Sequence, residues 1–315
     1  MPRYASIDIG TNSVLLLVAD RQPDGRFEAV VERAEITRLG RGVDTSRVLS
    51  SDGMEATLSV LVAFANEARE LGAEAIAVSA TSAARDAKNG ADFIAAAKDR
   101  AGVTVEIIPG EMEAQLSFAA VAQDFGSEAA GPLLVVDIGG GSTEFIYGSD
   151  AGTVAFRHSF DVGAVRLTER YVRTDPLSPD ERGAIEAHLR DTFSALPPPP
   201  PGAMLVGVAG TVTTLYAVQH QMATYDAEAV HGGTLSRGEL DALTDRLCAL
   251  PLDARRALPG LQPKRADVIP AGALILREAV KALRLDAVRV SDRGLRWGLL
   301  AHRFGSASGS GSSRS

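Results

Sequence analysis

The sequence has almost no cysteine, few aromatic residues and no long apolar run, and these shortages exclude several classes of protein. Cys248 is the only cysteine among 315 residues, which excludes an internal disulfide, and the five histidines fall at no zinc-ligand spacing. The longest purely aliphatic run, Val14 to Ala19, is far shorter than the ~18–20 residues that cross a bilayer. No signal peptide is visible at the N-terminus. We therefore expect a cytoplasmic protein that does not associate with membranes.

Basic residues are outnumbered, with 32 Lys and Arg against 40 Asp and Glu and a net charge of −8. Non-specific nucleic-acid binding depends on clustered Lys and Arg, so we do not expect nucleic acid as a partner. A polyanionic substrate is compatible with this charge where a local group of basic residues or a metal ion receives it. The length accommodates two domains at ~100–200 residues each, and glycine is abundant at 31 residues.

An internal repeat organises the chain. Residues 7–13 read Ile-Asp-Ile-Gly-Thr-Asn-Ser, and residues 136–142 read Val-Asp-Ile-Gly-Gly-Gly-Ser. The aspartates of the two segments are 129 positions apart (137 minus 8), and at the same offset residues 76–82 fall on residues 205–211. Two separate matches at one offset indicate a duplicated domain.

Both halves show the same order of predicted elements. An apolar run ending in Asp, a turn and a second apolar run predict a β-hairpin in each half, at 4–9 with 13–19 and at 133–138 with 143–148. Further strands are predicted at 75–79, 103–108, 203–208 and 287–291. Helices are predicted at 51–71, 82–87, 90–101, 178–195, 236–250, 266–283 and 294–304. Those at 178–195 and 236–250 open with Ser-x-x-Glu capping boxes.

Strands that alternate with helices predict an α/β protein, here with two similar lobes and a cleft between them. We assign residues 1–124 to the first lobe and 132–293 to the second. The helix at 294–304 is a candidate to pack back onto the first lobe. The Gly/Ser-rich segment 305–315 is expected to be a disordered tail.

Three glycine-containing loops carry the strongest chemical signal. Asp137-Ile-Gly-Gly-Gly-Ser-Thr-Glu144 has three consecutive glycines, which let backbone N–H groups converge on an anion because no Cβ blocks its approach. A flexible hairpin turn is the alternative, although such a turn needs only two residues. Asp8-Ile-Gly-Thr-Asn-Ser13 is the equivalent in the first half, and Gly207-Val-Ala-Gly-Thr211 opens a helix whose N-terminus offers a third anion site. The predicted phosphate-binding residues in these loops are Gly10, Thr11, Asn12, Ser13, Gly139, Gly140, Gly141, Ser142, Thr143, Gly210 and Thr211.

These residues, in this order, resemble the exopolyphosphatase/guanosine pentaphosphate phosphohydrolase family, which sits in the superfamily of actin, sugar kinases and heat-shock chaperone ATPases. The resemblance runs from about residue 4 to residue 303. It includes the segments Ala80-Thr-Ser-Ala-Ala-Arg85, Gly110-Glu-Met-Glu-Ala-Gln115, Gly163-Ala-Val-Arg166 and Ser291-Asp-Arg-Gly-Leu-Arg296. It implies two duplicated actin-like (ribonuclease H-like) lobes around a central cleft.

The resemblance also implies roles for single residues. Glu113 would be the catalytic base that deprotonates the attacking water, and Arg85 would grip the polyphosphate chain. The residues alone leave Glu111 and Glu113 equally interpretable as first-turn acids favoured by the helix dipole, and Arg85 as a solvated arginine. Arg166 and Arg296 are further candidates for a basic strip. No motif supports a role for the remaining basic candidates, His231, Lys264 and Arg265.

Carboxylates flank the glycine loops and would meet a substrate that carries about one negative charge per phosphate. We therefore expect Mg²⁺ or Mn²⁺, bound by Asp8, Asp137 and Glu144. The implied activity is an exopolyphosphatase that hydrolyses the terminal phosphate of inorganic polyphosphate, with metal assistance and a water activated by Glu113.

Two alternatives stay open beside this activity. One is a guanosine pentaphosphate 5′-phosphohydrolase or NTPase, and the other is a non-catalytic nucleotide sensor or a kinase of the superfamily. Longer members of the family carry a further helical domain of the His-Asp type, and this chain has no His-Asp dipeptide, which favours short polyphosphate chains. A homodimer is a further expectation.

Overall fold

Two mixed β-sheets form the framework of this computed structural model, which describes residues 1–149 and 153–305. All of the predicted 305–315 tail except its first residue lies outside the described residues. The strands of the first sheet, sheet A, are β1 Arg3–Ile9, β2 Ser13–Arg21, β3 Phe27–Ile36, β4 Ala75–Ala80 and β5 Val105–Ile107. The strands of sheet B are β6 Leu133–Ile138, β7 Thr143–Gly148, β8 Val154–Phe160, β9 Met204–Val208, β10 Thr234–Ser236 and β11 Ala287–Val290.

Helices connect and cover these strands. They are α1 Val43–Ser46, α2 Ser51–Glu70, α3 Ser82–Asp86, α4 Gly90–Ala101, α5 Gly110–Phe125, α6 Ala164–Tyr171, α7 Pro179–Phe193, α8 Ala209–Gln219, α9 Ala227–Val230, α10 Arg237–Ala249, α11 Leu252–Arg256, α12 Ile269–Ala282 and α13 Leu295–Phe304. No helix in the described part of the chain has the length and apolar character to cross a membrane.

The two sheets share one topology, with a single strand added to the second. The spatial order is β3-β2-β1-β4-β5 in sheet A and β10-β11-β9-β6-β7-β8 in sheet B. In each sheet three consecutive strands form an antiparallel meander, and the next strand in the sequence pairs in parallel with the first of them. The same arrangement therefore occurs twice, which confirms the predicted α/β fold of two duplicated lobes.

The third strand of each meander, β3 or β8, was absent from the sequence prediction. Both strands lie at a sheet edge. No side chain of β3 is fully buried, and only Phe160 is buried in β8. Strands with so few buried side chains lack a regular alternation of apolar and polar residues, so the period-two pattern that reveals a strand is missing.

Two helices connect the lobes by packing on the sheet of the other half. Phe118 and Phe125 of α5 pack against Val135 and Ile146 of sheet B, although the predicted boundary at residue 124 places α5 in the first lobe. In return, Trp297 and other residues of α13 pack against β2 of sheet A. This exchange brings the N-terminus of α5 to the junction between the lobes. There it lies near the carboxyl ends of β1 and β6.

Candidate active site

A cavity of about 730 Å³ lies between the lobes, where β1, β4, β6 and β9 end. Most of the predicted site residues line it, namely Asp8, Gly10, Thr11, Asn12, Ser13, Glu113, Asp137, Gly139, Gly140, Ser142, Gly210 and Thr211. Four others, Arg85, Gly141, Thr143 and Glu144, do not belong to its lining. The fold thus brings residues from both repeats and from α5 to one cleft.

Four carboxyl groups lie close together here, three of them in the cleft lining and the fourth, Glu144, buried outside it. Asp8, Glu113, Asp137 and Glu144 are close enough for the charge of one to affect the ionisation of another. Ser117, one turn after Glu113 on α5, donates a hydrogen bond of 2.6 Å from Oγ to Asp137 Oδ2. The cluster is therefore held from α5 as well as from the two sheets.

Burial raises the pKa of all four acids, and the charge of a neighbouring acid adds to the shift for Asp8, Glu113 and Glu144. Burial is the larger cause for Asp8, whose pKa rises to about 7, with the charge of Asp137 adding to it. Burial and then Asp137 raise the pKa of Glu144 to about 8. Burial, followed by the charges of Glu144, Asp137 and Asp8, raises the pKa of Glu113 well above its usual value. Such groups are poised to accept a proton or a cation near neutral pH.

We predict a pH-dependent gain in stability for Asp8→Asn in buffer free of divalent cations. An acid with a higher pKa in the folded than in the unfolded protein destabilises the fold increasingly as the pH rises from about 4 to 7. The gain in the free energy of unfolding should be about twice as large at pH 8 as at pH 5.5. At pH 8 it should raise Tm by roughly 5 °C in scanning calorimetry. An equal gain at both pH values would contradict the assigned burial of the charge.

Glu113 is directed into the cleft by the start of α5. The helix begins at Gly110 after Pro109, so Glu113 lies in its first turn. Arg85 Nη1 is 3.6 Å from Glu113 Oε2 and donates to the carbonyl of Ile108 at 3.0 Å. Glu111 is exposed and pairs with Arg157 at 3.1 Å on the outer surface. The two acids therefore have different environments, and only Glu113 faces the glycine loops.

The carbonyl groups of the glycine triplet are all bound on one side, by the start of α6. Backbone amides of Ala164 and Arg166 donate to Gly139 O and Gly140 O, each at 3.0 Å, and Arg166 Nε donates to Gly141 O at 2.6 Å. The N–H and C=O groups of a trans peptide point in opposite directions, so the amides of residues 140–142 point away from α6. Within the described residues none of these amides donates a hydrogen bond. Neighbouring amides without a partner suit an anion such as a phosphate group.

The first glycine loop is built in the same way. Thr37 N and Arg38 N each donate to Asn12 O at 3.0 Å, and Gly40 N donates to Thr11 O at 2.8 Å. In both repeats the segment that follows the third strand of the meander binds the carbonyl groups of the loop. This shared construction supports the equivalence of the two loops that the sequence repeat indicated.

Comparison with known proteins gives the family. The model of the Ppx/GppA phosphatase family matches residues 17–306. The chain belongs to the Ppx/GppA phosphatase family. It is 36% identical over 310 residues to exopolyphosphatase 2 of Mycobacterium tuberculosis, an alignment that covers 94% of this chain and 96% of the relative.

Solved structures of Ppx/GppA proteins have the same fold. The Aquifex aeolicus family member is 34% identical with a TM-score of 0.80, over 96% of this chain and 97% of the other. An exopolyphosphatase from Cytophaga hutchinsonii is 28% identical with a TM-score of 0.86 and the same coverage of each chain. The predicted family, the predicted actin-like fold and the prediction of an enzyme are confirmed.

Several predicted residues of this Ppx/GppA phosphatase make contacts other than those expected. The Thr143 hydroxyl donates to the carbonyl of Val162 at 2.6 Å, so it is used within the second lobe. Arg166 and Arg296, suggested for a basic strip, are paired with acids: Arg166 with Asp44 and Asp86, and Arg296 with Glu32 and Asp292. Neither arginine is free to bind a polyanion in this structure.

Gly141, like Gly140 before it, lies close to side chains of the first lobe. A Cβ on Gly141 would lie 2.5 Å from Ser82 Oγ and 2.9 Å from Thr11 Oγ1, both in the first lobe. Thr11 Oγ1 and Ser82 Oγ are themselves hydrogen-bonded at 2.7 Å. The glycine here permits the loops of the two lobes to touch, which the sequence alone could not distinguish from anion binding.

Arg265, for which no sequence motif supports a role, lies in the cleft. Its guanidinium group lies against Gly210 of the third loop, where an added Cβ would be 2.5 Å from Nη2, and it lines the cleft. No carboxylate of the described residues forms an ion pair with it. Its neighbours in the sequence, Lys264 and Pro263, carry no recognisable motif. Only the fold, which returns residue 265 to the third loop, reveals it.

The third loop is strained. Ala209, at the start of α8, has φ 69, in the left-handed region that L-residues other than glycine rarely adopt. Such a conformation costs on the order of 1 kcal/mol and persists where the surrounding structure requires it. Thr211 Oγ1 donates to Ile138 O at 3.1 Å and so links this loop to the second one.

The carboxyl oxygens suit a hard cation that is shared with substrate and water. Asp8 Oδ1, Glu113 Oε2 and Glu144 Oε2 are buried and accept no hydrogen bond from the described residues. Across those same residues, no three His, Cys, Asp or Glu side chains are grouped so as to hold a metal ion by themselves. Mg²⁺ usually takes one or two protein carboxylates and completes its shell with water and phosphate oxygens, so this donor set fits it.

Proposed function

We propose that this enzyme is an exopolyphosphatase that removes the terminal phosphate of short inorganic polyphosphate by attack of water. The observation that carries the proposal is that Glu113, a buried acid with a raised pKa, shares one cleft with the open amides of the glycine loops. The similarity to a protein named exopolyphosphatase 2 supports the same substrate class.

Glu113 acts as the general base in this proposal. Its raised pKa makes it a stronger base than an exposed carboxylate, and general-base assistance is typically worth ~10²–10⁴ in rate. Arg85, 3.6 Å away, orients the carboxylate. The bond that forms joins the water oxygen to the terminal phosphorus, the bond that breaks is the phosphoric anhydride, and the water proton goes to Glu113.

The glycine loops hold the phosphoryl group during this step. Amides of residues 140–142, directed away from α6, donate to the oxygens on which negative charge accumulates. Arg265, above the third loop, receives the phosphates that follow the terminal one.

We propose that Asp8 and Asp137, which line the cleft, hold Mg²⁺ or Mn²⁺, with Glu144 behind them. When bound, the ion neutralises oxygens of the transferring phosphoryl group. The three acids bring a large negative charge toward a polyanionic substrate, and this charge must be compensated before such a substrate binds. A cytoplasmic location and a homodimer stay predictions from the sequence.

A second candidate substrate is a nucleotide, either guanosine pentaphosphate or a nucleoside triphosphate. The part of the cleft beyond the third loop is lined by apolar side chains, among them Met222, Leu261 and Pro263, with Tyr225 beside them. Inorganic polyphosphate has no apolar portion to bury there, whereas a purine base does. This apolar lining supports the nucleotide candidate, because a purine base would bury apolar surface there and further phosphates would not.

Phosphate release from short polyphosphate, guanosine pentaphosphate and ATP, measured side by side with Mg²⁺ and with EDTA, tests the proposal. We expect the highest kcat/KM on short polyphosphate and loss of activity in EDTA. Met222→Ser, which removes an apolar contact, should lower turnover of nucleotides alone. A preference for guanosine pentaphosphate that Met222→Ser abolishes would replace the first candidate by the second.

A further inference from the structure

A cluster of charged side chains outside the cleft joins the two lobes, and Arg166 lies at its centre. Arg166 Nη2 donates to Asp86 Oδ2 at 2.6 Å, and Nη1 pairs with Asp44. Both acids belong to the first lobe, whereas Arg166 is in α6 of the second. One turn later, Arg170 Nη2 donates to Asp44 Oδ1 at 3.0 Å. The ion pairs therefore cross from one lobe to the other.

The guanidinium group of Arg166 has no contact with the cleft. Arg166 as a whole is 6% exposed and lines a small crevice, which Gly141, Ser82 and Asp44 also line. Its charge is compensated by two carboxylates, so it is not available to a substrate. Its Nε, however, donates to Gly141 O at 2.6 Å, and Gly141 belongs to the second phosphate loop. One side chain thus contacts both the opposite lobe and a loop of the site.

Helix α3 of the first lobe connects this cluster to the catalytic acid. Ser82, its first residue, contacts Thr11 and faces Gly141. Arg85 lies 3.6 Å from Glu113, and the next residue, Asp86, pairs with Arg166. A helix of five residues therefore links the position of the second lobe to the surroundings of Glu113.

We infer that Arg166 is a positioning residue that couples closure of the lobes to the geometry of the second phosphate loop. This inference rests on the proposed function. Asp44 and Asp86 compensate the Arg166 charge only while the lobes are together, and a buried charge without a partner is strongly unfavourable. In that closed state Nε fixes the Gly141 carbonyl, which turns the Ser142 amide toward the cleft. Opening the lobes breaks the ion pairs to Asp44 and Asp86, and with them the restraint that holds the Arg166 side chain on the Gly141 carbonyl of its own lobe.

A second contact across the junction supports the coupling. Glu169 of α6 accepts a hydrogen bond of 2.9 Å at Oε1 from Gly42 N of the first lobe. Helix α6 therefore meets the first lobe through three charged side chains, those of Arg166, Glu169 and Arg170, while its N-terminus binds the carbonyl groups of the glycine triplet. The same short helix therefore contacts the first lobe and supports the second glycine loop.

Three variants test the inference. Arg166→Met keeps much of the side-chain volume and removes all three contacts. Arg166→Lys keeps the charge and loses the planar fork of donors, since the lysine ammonium group is a compact point charge. Arg170→Gln is the matched control, because it removes a charge pair to the same Asp44 without touching the glycine loop.

The measurements are kcat and KM on the best substrate, and the distance between spin labels on the two lobes. Labels at Ala63→Cys of α2 and Ala187→Cys of α7 use exposed positions, and the buried Cys248 stays in place. We expect Arg166→Met to lower kcat about 10²-fold, more than it raises KM, and to shift the labels to longer distances. Arg166→Lys should show a smaller loss of kcat and a smaller change in label distance than Arg166→Met. Arg170→Gln should change kcat less than about fivefold.

The inference is overturned if Arg166→Met keeps the wild-type kcat, or if kcat falls while the label distance stays unchanged. A rise in label distance without a fall in kcat overturns it as well. The label measurement needs no substrate, so it separates this inference from the proposed function. If the wild type releases phosphate from none of the substrates, the proposed function fails and the label distances still decide whether Arg166 holds the lobes together.

Discussion

Glu113→Gln is expected to lower kcat by about 10²–10⁴-fold while the substrate still binds. Glutamine keeps the size and hydrogen-bonding capacity of the side chain but cannot accept the proton of the attacking water. It also removes one of four mutually repelling acids, so affinity for a polyanion should be retained or increased. Steady-state phosphate release, together with calorimetric binding of short polyphosphate, separates the two effects.

Glu111→Gln is the matched control for this variant. Glu111 lies two residues earlier on the same helix but is exposed and pairs with Arg157 outside the cleft. Its substitution should leave kcat within about fivefold of the wild type, as for other exposed ion pairs. Equal losses in the two variants would show that helix stability, and not proton transfer, is affected. Near-wild-type turnover by Glu113→Gln would remove Glu113 from the mechanism.

Gly163→Ala is expected to lower kcat about 10²-fold and to cost ~1–3 kcal/mol in the free energy of unfolding. A Cβ at this position would lie 2.5 Å from the carbonyl carbon of Gly140 and 2.6 Å from that of Gly141. Backbone atoms cannot rotate away as a side chain can, so the glycine triplet must shift as a whole. The amides that hold the phosphoryl group would move with it.

Gly183→Ala serves as its control. Gly183 lies within α7, far from the site, and an added Cβ meets nothing within 4 Å. Because glycine is a poor helix former, this variant should be as active as the wild type and more stable by ~0.5–1 kcal/mol in chemical unfolding. Activity in Gly163→Ala equal to that in Gly183→Ala would show that the second loop tolerates displacement, contrary to the role assigned to it.

Much of the fold could be predicted because the local sequence patterns favour the same strands and helices that the tertiary structure contains. The apolar runs on either side of each glycine turn became β1 with β2 and β6 with β7. The Ser178 and Ser236 capping boxes mark the starts of α7 and α10, where each serine accepts a hydrogen bond from the amide three residues on. Helix α6 was not predicted, since its short sequence holds five charged or hydroxyl side chains and is fixed by contacts with another loop.

Candidate site residues could be predicted where they belong to the sequence repeat. They could not be predicted where they depend on contacts between distant parts of the sequence. Asp8 and Asp137 stand at equivalent positions of the two halves, and both line the cleft. The partners of Arg166 are 122 and 80 positions away in the sequence, so no local pattern reveals that its charge is already compensated. Arg265 is likewise brought to Gly210 only by tertiary structure. Sequence motifs identify the glycine loops and the acids beside them, and they miss side chains that only long-range contacts bring there.

The most direct measurement is a crystal structure of Glu113→Gln with short polyphosphate and Mg²⁺. The account predicts a terminal phosphate on the amides of residues 140–142, with a water molecule between its phosphorus and the side chain at position 113. A terminal phosphate bound away from both glycine loops, with residue 113 out of reach of any such water, would contradict it.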